Sequence, residues 1–140
     1  MWSPFWLKLW ASSFLDRSAS NSGHSHAAVR IQWTRVRLAE SMEPTEILKM
    51  GGAGNKVLQL IENNAHAYIF ASPGCKKWDT CAPQAVLEAL GGSLTDVNGN
   101  LYEYHKDVSH PNKGGVIAAV SDIDFYLSKI PSDIKEKLKY

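Results

Sequence analysis

Trp78-Asp79-Thr80-Cys81-Ala82-Pro83, continued by Gln84-Ala85-Val86-Leu87-Glu88-Ala89-Leu90-Gly91-Gly92, is the stretch around which the rest of the chain organises. An acidic residue is held at the mouth of a helix, behind a large aromatic, and a glycine pair closes the helix. The pattern predicts a helix near 80–90, with Pro83 in a first turn that does not need its missing N–H. Asp79 sits where orphan amide groups and the positive end of the helix dipole favour a carboxylate. Taken alone, such an aspartate is a plain helix cap. As a hard oxygen donor it also suits Mg²⁺, which usually takes one or two carboxylates plus waters and substrate phosphate.

Upstream of this helix lie the turn Ser72-Pro73-Gly74 and the run Ala67-Tyr68-Ile69-Phe70-Ala71, a buried strand by its aromatic and β-branched content. Further back, Ser41 to Glu46 is a turn and helix-start pattern, and Ile47 to Met50 reads as a short strand. That strand runs into Gly51-Gly52-Ala53-Gly54-Asn55-Lys56. Asn55 is expected to cap a helix whose apolar residues are Val57, Leu58, Leu60 and Ile61. Free amides and a lysine at such a helix start can hold an anion. The Walker spacing is absent, so the plain alternative is a tight strand-to-helix turn.

Downstream, Ser93–Val97 and Leu101–Tyr104 flank Asn98-Gly99, which predicts a hairpin with a type I′ turn. Gly114 to Val120 reads as a central strand. Two short helices follow, Asp122–Ser128 and Pro131–Lys139, the second with proline in its first turn. Strands and helices alternate around one hairpin, so the fold class is α/β with a mixed sheet flanked by helices.

At 140 residues the chain has room for one domain and one core. Composition is that of a soluble globular protein, 44% hydrophobic and 21% charged, with a net charge of +1. Charge is unevenly placed: Lys8, Arg17, Arg30, Arg35 and Arg37 face only Asp16 in residues 1–39, while ten lysines face thirteen carboxylates beyond. A mildly acidic body lacks the basic stripe of a nucleic-acid binder. Cys75 and Cys81 fit neither zinc nor thioredoxin spacing. A disulfide framework is not expected, and a reducing, cytoplasmic location is the default. No apolar run approaches the roughly 20 residues of a membrane span.

Residues 1–40 read as a separate leader and residues 41–140 as the α/β domain. Trp2, Phe5, Trp6 and Leu9 fall at helical spacing, so residues 2–10 suggest a short amphipathic helix. A Ser-rich, acid-poor stretch with His24 and His26 follows. This composition also suits a mitochondrial transit peptide, and the aromatic face of residues 1–10 suits a membrane surface. The plain alternative is a disordered extension.

The run Trp78 to Gly92 resembles the C-terminal signature of the inositol monophosphatase superfamily, the lithium-sensitive, magnesium-dependent phosphatases. Residues 41–140 look like the C-terminal portion of its 3′(2′),5′-bisphosphate nucleotidase branch. Gly51–Lys56, Phe70–Pro83 and Tyr104-His105-Lys106-Asp107-Val108 carry the match. The resemblance implies the C-terminal half of a layered inositol-monophosphatase-like fold. It also implies hydrolysis of adenosine 3′,5′-bisphosphate to AMP and phosphate, with Mg²⁺ as the cofactor. Asp79 would be a metal ligand, and Gly52 and Lys56 would lie against the nucleotide. Ser72 replaces the carboxylate that the inositol-hydrolysing branch carries there, which favours the nucleotide branch.

The departures matter as much. The Asp-Pro-(Ile/Leu)-Asp-(Gly/Ser)-Thr motif, which supplies two metal-binding aspartates and a water-activating threonine, is not in the chain, and neither is the upstream Glu-Glu motif. The family's nucleotide-contacting histidine falls on Arg30. No residue is assigned as catalytic, and the chain reads as a truncated form that is inactive alone. The alternative is a non-catalytic α/β module that binds a nucleotide weakly or pairs with a full-length family member; oligomeric state is left open. His105 and His110 have no nucleophile pattern beside them and read as surface residues. Cys81 reads as a small core residue. Lys76 and Lys77 read as solvated loop lysines.

Overall fold

The computed structural model describes residues 8–12 and 37–139. Its elements in chain order are β1 (Lys8–Ser12), α1 (residues 37–41), β2 (Glu46–Met50), α2 (Ala53–Ile61), β3 (Ala67–Phe70) and β4 (Cys75–Lys76). They continue as α3 (Trp78–Ala89), β5 (Ser93–Thr95), β6 (Pro111–Asn112), β7 (Val116–Ala119), α4 (Ile123–Lys129) and α5 (Ser132–Lys137).

Five strands form a mixed sheet in the order β2-β1-β3-β7-β5. β1 runs parallel to both β2 and β3, whereas β7 is antiparallel to β3 and to β5. Side chains alternate between faces along a strand, and this sorts the core into two layers. Ala67 and Ile69 of β3, with Ile117 and Ala119 of β7, pack against Leu38, Met42, Tyr126, Ile130, Ile134 and Leu138 from α1, α4, α5 and their flanks. Tyr68, Val116 and Ala118 point the other way, onto Val57 and Leu60 of α2 and Leu87 of α3. The sheet is thus flanked by helices on both faces, as the alternation of elements predicts. Exposed ion pairs hold the α1 side together: Arg37 to Asp133 at 2.8 Å and Lys129 to Glu43 at 2.9 Å.

Several local expectations change. Residues 8–10 are extended within β1 rather than helical, because β2 and β3 offer backbone partners on both sides; residues 2–7 lie outside the described residues. His24, His26 and Arg30 also lie outside the described residues. Ser41 to Glu46 turns the chain from α1 into β2 and starts no helix. Leu101–Tyr104 is not a strand, and β5 pairs with β7 instead of forming a hairpin. The cause is Asp96, whose Oδ1 accepts the N–H groups of Asn98 and Asn100, both at 2.8 Å. This side-chain turn replaces the backbone hairpin, and of the Asn98-Gly99 pair only Gly99 has positive φ. Among the described residues no helix is long and apolar enough to cross a membrane.

Candidate functional site

Two helix starts frame the site. Gly52 is the N-cap of α2 at φ 77, a left-handed conformation that favours glycine, and no side chain caps this end. Asn55 therefore lies inside the helix rather than at its cap. One turn on, Lys56 is 4% exposed. Its Nζ lies 4.7 Å from the centroid of the Tyr68 ring and 5.9 Å from that of Phe70. A desolvated ammonium over aromatic faces is a favourable arrangement of charge and ring quadrupole. β3 supplies both rings because residues two apart share a face.

Asp79 stands in the first turn of α3, which begins at Trp78 with Lys77 at the cap. Pro83 consequently falls in the second turn, where its missing N–H leaves the Asp79 carbonyl without the usual helical donor. The Asp79 side chain is exposed, and its Oδ2 accepts the N–H of Lys76 at 2.9 Å. Lys76 is itself set by the small β4–β6 ribbon, and the N–H of Lys77 donates to the His110 carbonyl at 2.8 Å. Trp78 is 59% exposed and its ring packs 5.5 Å from that of His110.

α3 ends as the glycine pair predicts. The N–H of Gly91 donates to the Glu88 carbonyl and that of Gly92 to the Leu87 carbonyl, at 2.9 and 3.0 Å. These are the paired bonds of a Schellman ending. Leu87 is thereby fixed against the sheet.

The two helix starts share one electrostatic neighbourhood. Burial raises the Tyr68 phenol well above its ordinary value, and the nearby Cys75 and Asp79 add to this. Burial likewise raises the Cys75 thiol; a hydrogen bond with Asn112 opposes this, Asp79 reinforces it, and Lys56 opposes it weakly. Asp79 therefore lies near both Tyr68 and Cys75, and Lys56 near Cys75 and the Tyr68 ring. The structure brings Lys56 and Asp79, two of the three sequence-assigned residues, into this cluster, and it sets Gly52 at the N-terminal end of the helix that carries Lys56. Tyr68, Cys75 and Asn112 were not singled out from the sequence. The signal available for Tyr68 was the strand alternation that turns it toward α2.

Other assignments sort simply. Cys81 is exposed, not core, and its Sγ donates to the Trp78 carbonyl at 3.5 Å, because its position in the first turns of α3 points away from the sheet. His105 and His110 are exposed; His105 Nε2 lies 3.3 Å from Glu103 Oε2, and its Nδ1 accepts the N–H of Asp107 at 3.3 Å. Ser72 is buried. Among the described residues no three His, Cys, Asp or Glu side chains group to hold a metal ion.

The inositol monophosphatase family model matches residues 12–134, a span that reaches back into the stretch read from sequence as a leader. The chain is 57% identical over 98 residues to human 3′(2′),5′-bisphosphate nucleotidase 1, covering 70% of this chain and 32% of the human protein. It is 43% identical over 89 residues to the Dictyostelium discoideum protein of the same name, covering 63% of this chain and 29% of that protein. It thus spans about a third of the length of these relatives. In three dimensions it superposes on 2′AMP-bound SaIMPase-II with a TM-score of 0.57 at 14% identity, over 94% of this chain and 42% of that one. A match across most of the chain, by sequence and by fold, places this protein in the inositol monophosphatase family.

Proposed function

We propose that this chain is the nucleotide-facing segment of a magnesium-dependent phosphatase of the 3′(2′),5′-bisphosphate nucleotidase type, which converts adenosine 3′,5′-bisphosphate to AMP and phosphate. The observation that carries this reading is that a buried cation, Lys56, and a solvent-facing carboxylate, Asp79, share Tyr68 and Cys75 as neighbours. A phosphate ester needs the first and a metal ion the second. Gly52 supports the same reading, because a glycine cap leaves the amides at the start of α2 uncovered by a side chain.

The donors on this chain do not make a metal centre by themselves. Asp79 offers one carboxylate, and a magnesium cluster that positions both water and leaving group needs several. No hydrolytic step is assigned to these residues. Their roles are narrower: Asp79 contributes one metal ligand, Lys56 sets positive potential beside the phosphate, and Gly52 lets backbone approach the nucleotide. The isolated chain is expected to release little or no phosphate.

The test has two arms. The purified chain is assayed for phosphate release from adenosine 3′,5′-bisphosphate with Mg²⁺, with lithium as a control. Lithium-sensitive turnover that vanishes in Asp79→Ala would overturn the inactivity of the isolated chain. In the second arm, the matched 98 residues replace their counterpart in the human nucleotidase. Retained activity that is lost on Asp79→Ala supports the reading, and a folded but inactive chimera sinks it. A second reading, a non-catalytic module that binds a nucleotide weakly, also rests on Lys56. Calorimetric titration of the chain with adenosine 3′,5′-bisphosphate detects it without turnover.

A further inference from the structure

The turn that carries Asp79 draws little support from its own helix. Pro83 has no N–H to give the Asp79 carbonyl, and no side chain caps the start of α3. The local bonds gather on the Lys77 carbonyl instead. It accepts the N–H groups of Thr80 and Cys81, both at 3.1 Å, and the Thr80 hydroxyl at 2.8 Å. Further hold on this turn comes from outside the helix.

The connection between β5 and β6 supplies it. Tyr104, in this connection, directs its hydroxyl at Gln84 Oε1 at 2.5 Å, with Thr80 Oγ1 at 3.2 Å as a second acceptor. Thr80 and Gln84 are both buried and stand one turn apart, on either side of Pro83. Gln84 is fixed from its other end, since its Nε2 donates to Glu88 Oε1 at 2.7 Å. Burial raises the Tyr104 phenol above its ordinary value, so the hydroxyl keeps its proton through neutral pH. The connection is anchored in turn: the buried Tyr102 hydroxyl accepts Asn112 Nδ2 at 2.9 Å, and the His110 carbonyl accepts the Lys77 N–H at 2.8 Å.

We propose that Tyr104 is a positioning residue for Asp79. Through Gln84 and Thr80 its hydroxyl fixes the first turn of α3, and with that turn the carboxylate whose Oδ2 accepts the Lys76 N–H at 2.9 Å. That this carboxylate meets a metal ion rests on the functional reading above; the way Tyr104 holds it does not.

Amide hydrogen exchange of the full chain, resolved residue by residue by NMR, tests it. Tyr104→Phe removes the hydroxyl and keeps the ring, whose centroid lies 6.4 Å from that of Tyr102. The expected result is exchange about tenfold faster at the N–H groups of Lys76, Thr80 and Cys81, the scale of one lost hydrogen bond. Ile117 and Ala118, paired on both sides within β7, should keep their rates. Equal acceleration in β7 would show a general loss of stability and overturn the proposal, as would an unchanged rate at Lys76. Gln84→Met removes the acceptor, keeps most of the stem, and should accelerate the same amides. Should Tyr104→Phe fail to fold, Gln84→Met alone decides, and an unchanged Lys76 rate in it overturns the proposal. Where both fold, the double variant should exchange within about twofold of either single one, since both break one contact. A combined effect of about a hundredfold would mean independent roles and overturn it. The two readings fail separately: unchanged exchange sinks the role of Tyr104 and leaves the nucleotidase reading standing, whereas a folded, inactive chimera sinks that reading and leaves these rates as expected.

Discussion

The Lys56 ammonium lies 4.7 Å from the centroid of the Tyr68 ring, and both side chains are buried. A charge removed from water in this way is stabilised by the ring face, so the pair should be energetically coupled. A double-mutant cycle with Lys56→Met and Tyr68→Leu, followed by urea denaturation, is expected to give a coupling of about 1–2 kcal/mol. Methionine keeps most of the lysine stem, which isolates the charge from the packing. Coupling near zero would mean that the ring is not the partner of the charge.

Burial also sets how the protein responds to alkali. The Tyr68 phenol, the Cys75 thiol, Tyr104 and Tyr126 are all raised above their ordinary values, with desolvation as the largest cause in each. A group raised in the folded state contributes stability that is fully present below its unfolded value and is lost as pH climbs toward its folded value. The loss should begin near 9.0 for the thiol and near 10.0 for the phenols, their ordinary values. Melting temperatures recorded from pH 8 to 11 should therefore fall steeply at the alkaline end. Tyr68→Phe should flatten that fall; an unchanged slope would show that the phenol does not titrate in the unfolding reaction.

The two glycines that end α3 are required for different reasons. Gly91 has φ +83 and open space where a Cβ would stand. Gly92 has no room: a Cβ there would meet Leu87 Cδ1 at 2.7 Å and the Ala119 carbonyl oxygen at 2.8 Å. Gly91→Ala should cost about 1 kcal/mol through backbone strain alone. Gly92→Ala should cost about 3 kcal/mol, because β7 backbone must shift. Urea midpoints in the opposite order would refute this account of the helix end.

Asp96 is a buried carboxylate with three donors around it. Oδ1 accepts the N–H groups of Asn98 and Asn100, and Oδ2 accepts the Asn100 side-chain amide at 2.9 Å. Asn98 in turn reaches the Lys135 carbonyl of α5 at 3.4 Å. Asp96→Ala strands these donors and should destabilise the chain by about 3 kcal/mol. Chemical denaturation with a loss below roughly 1 kcal/mol would mean that water satisfies the loop equally well.

The elements legible in the sequence were those written in local chemistry. The glycine pair announced where α3 stops, since a left-handed cap needs no long-range partner. The apolar runs over Ala67–Phe70 and Val116–Ala119 announced buried strands, and Gly51–Lys56 announced a strand-to-helix turn. Asp79 and Lys56 were singled out by the resemblance of their motifs to a known family, since helix-start chemistry alone reads as a plain cap and a tight turn.

What the sequence determined by itself was therefore local: which segments are helical or extended, where helices end, and which side chains carry charge at their mouths. Tertiary structure decided the rest, because strand pairing and burial are set by partners distant in the chain. Residues 8–10 close a stretch read at helical spacing yet are extended, since backbone on both sides outweighs one weak periodicity. Asn98-Gly99 would have turned a hairpin had Asp96 not taken the amides first. Cys81 looks apolar in the sequence, but the phase of α3 turns it to solvent. Tyr68 became part of the site only because β3 and α2 pack face to face, a contact that no local pattern encodes.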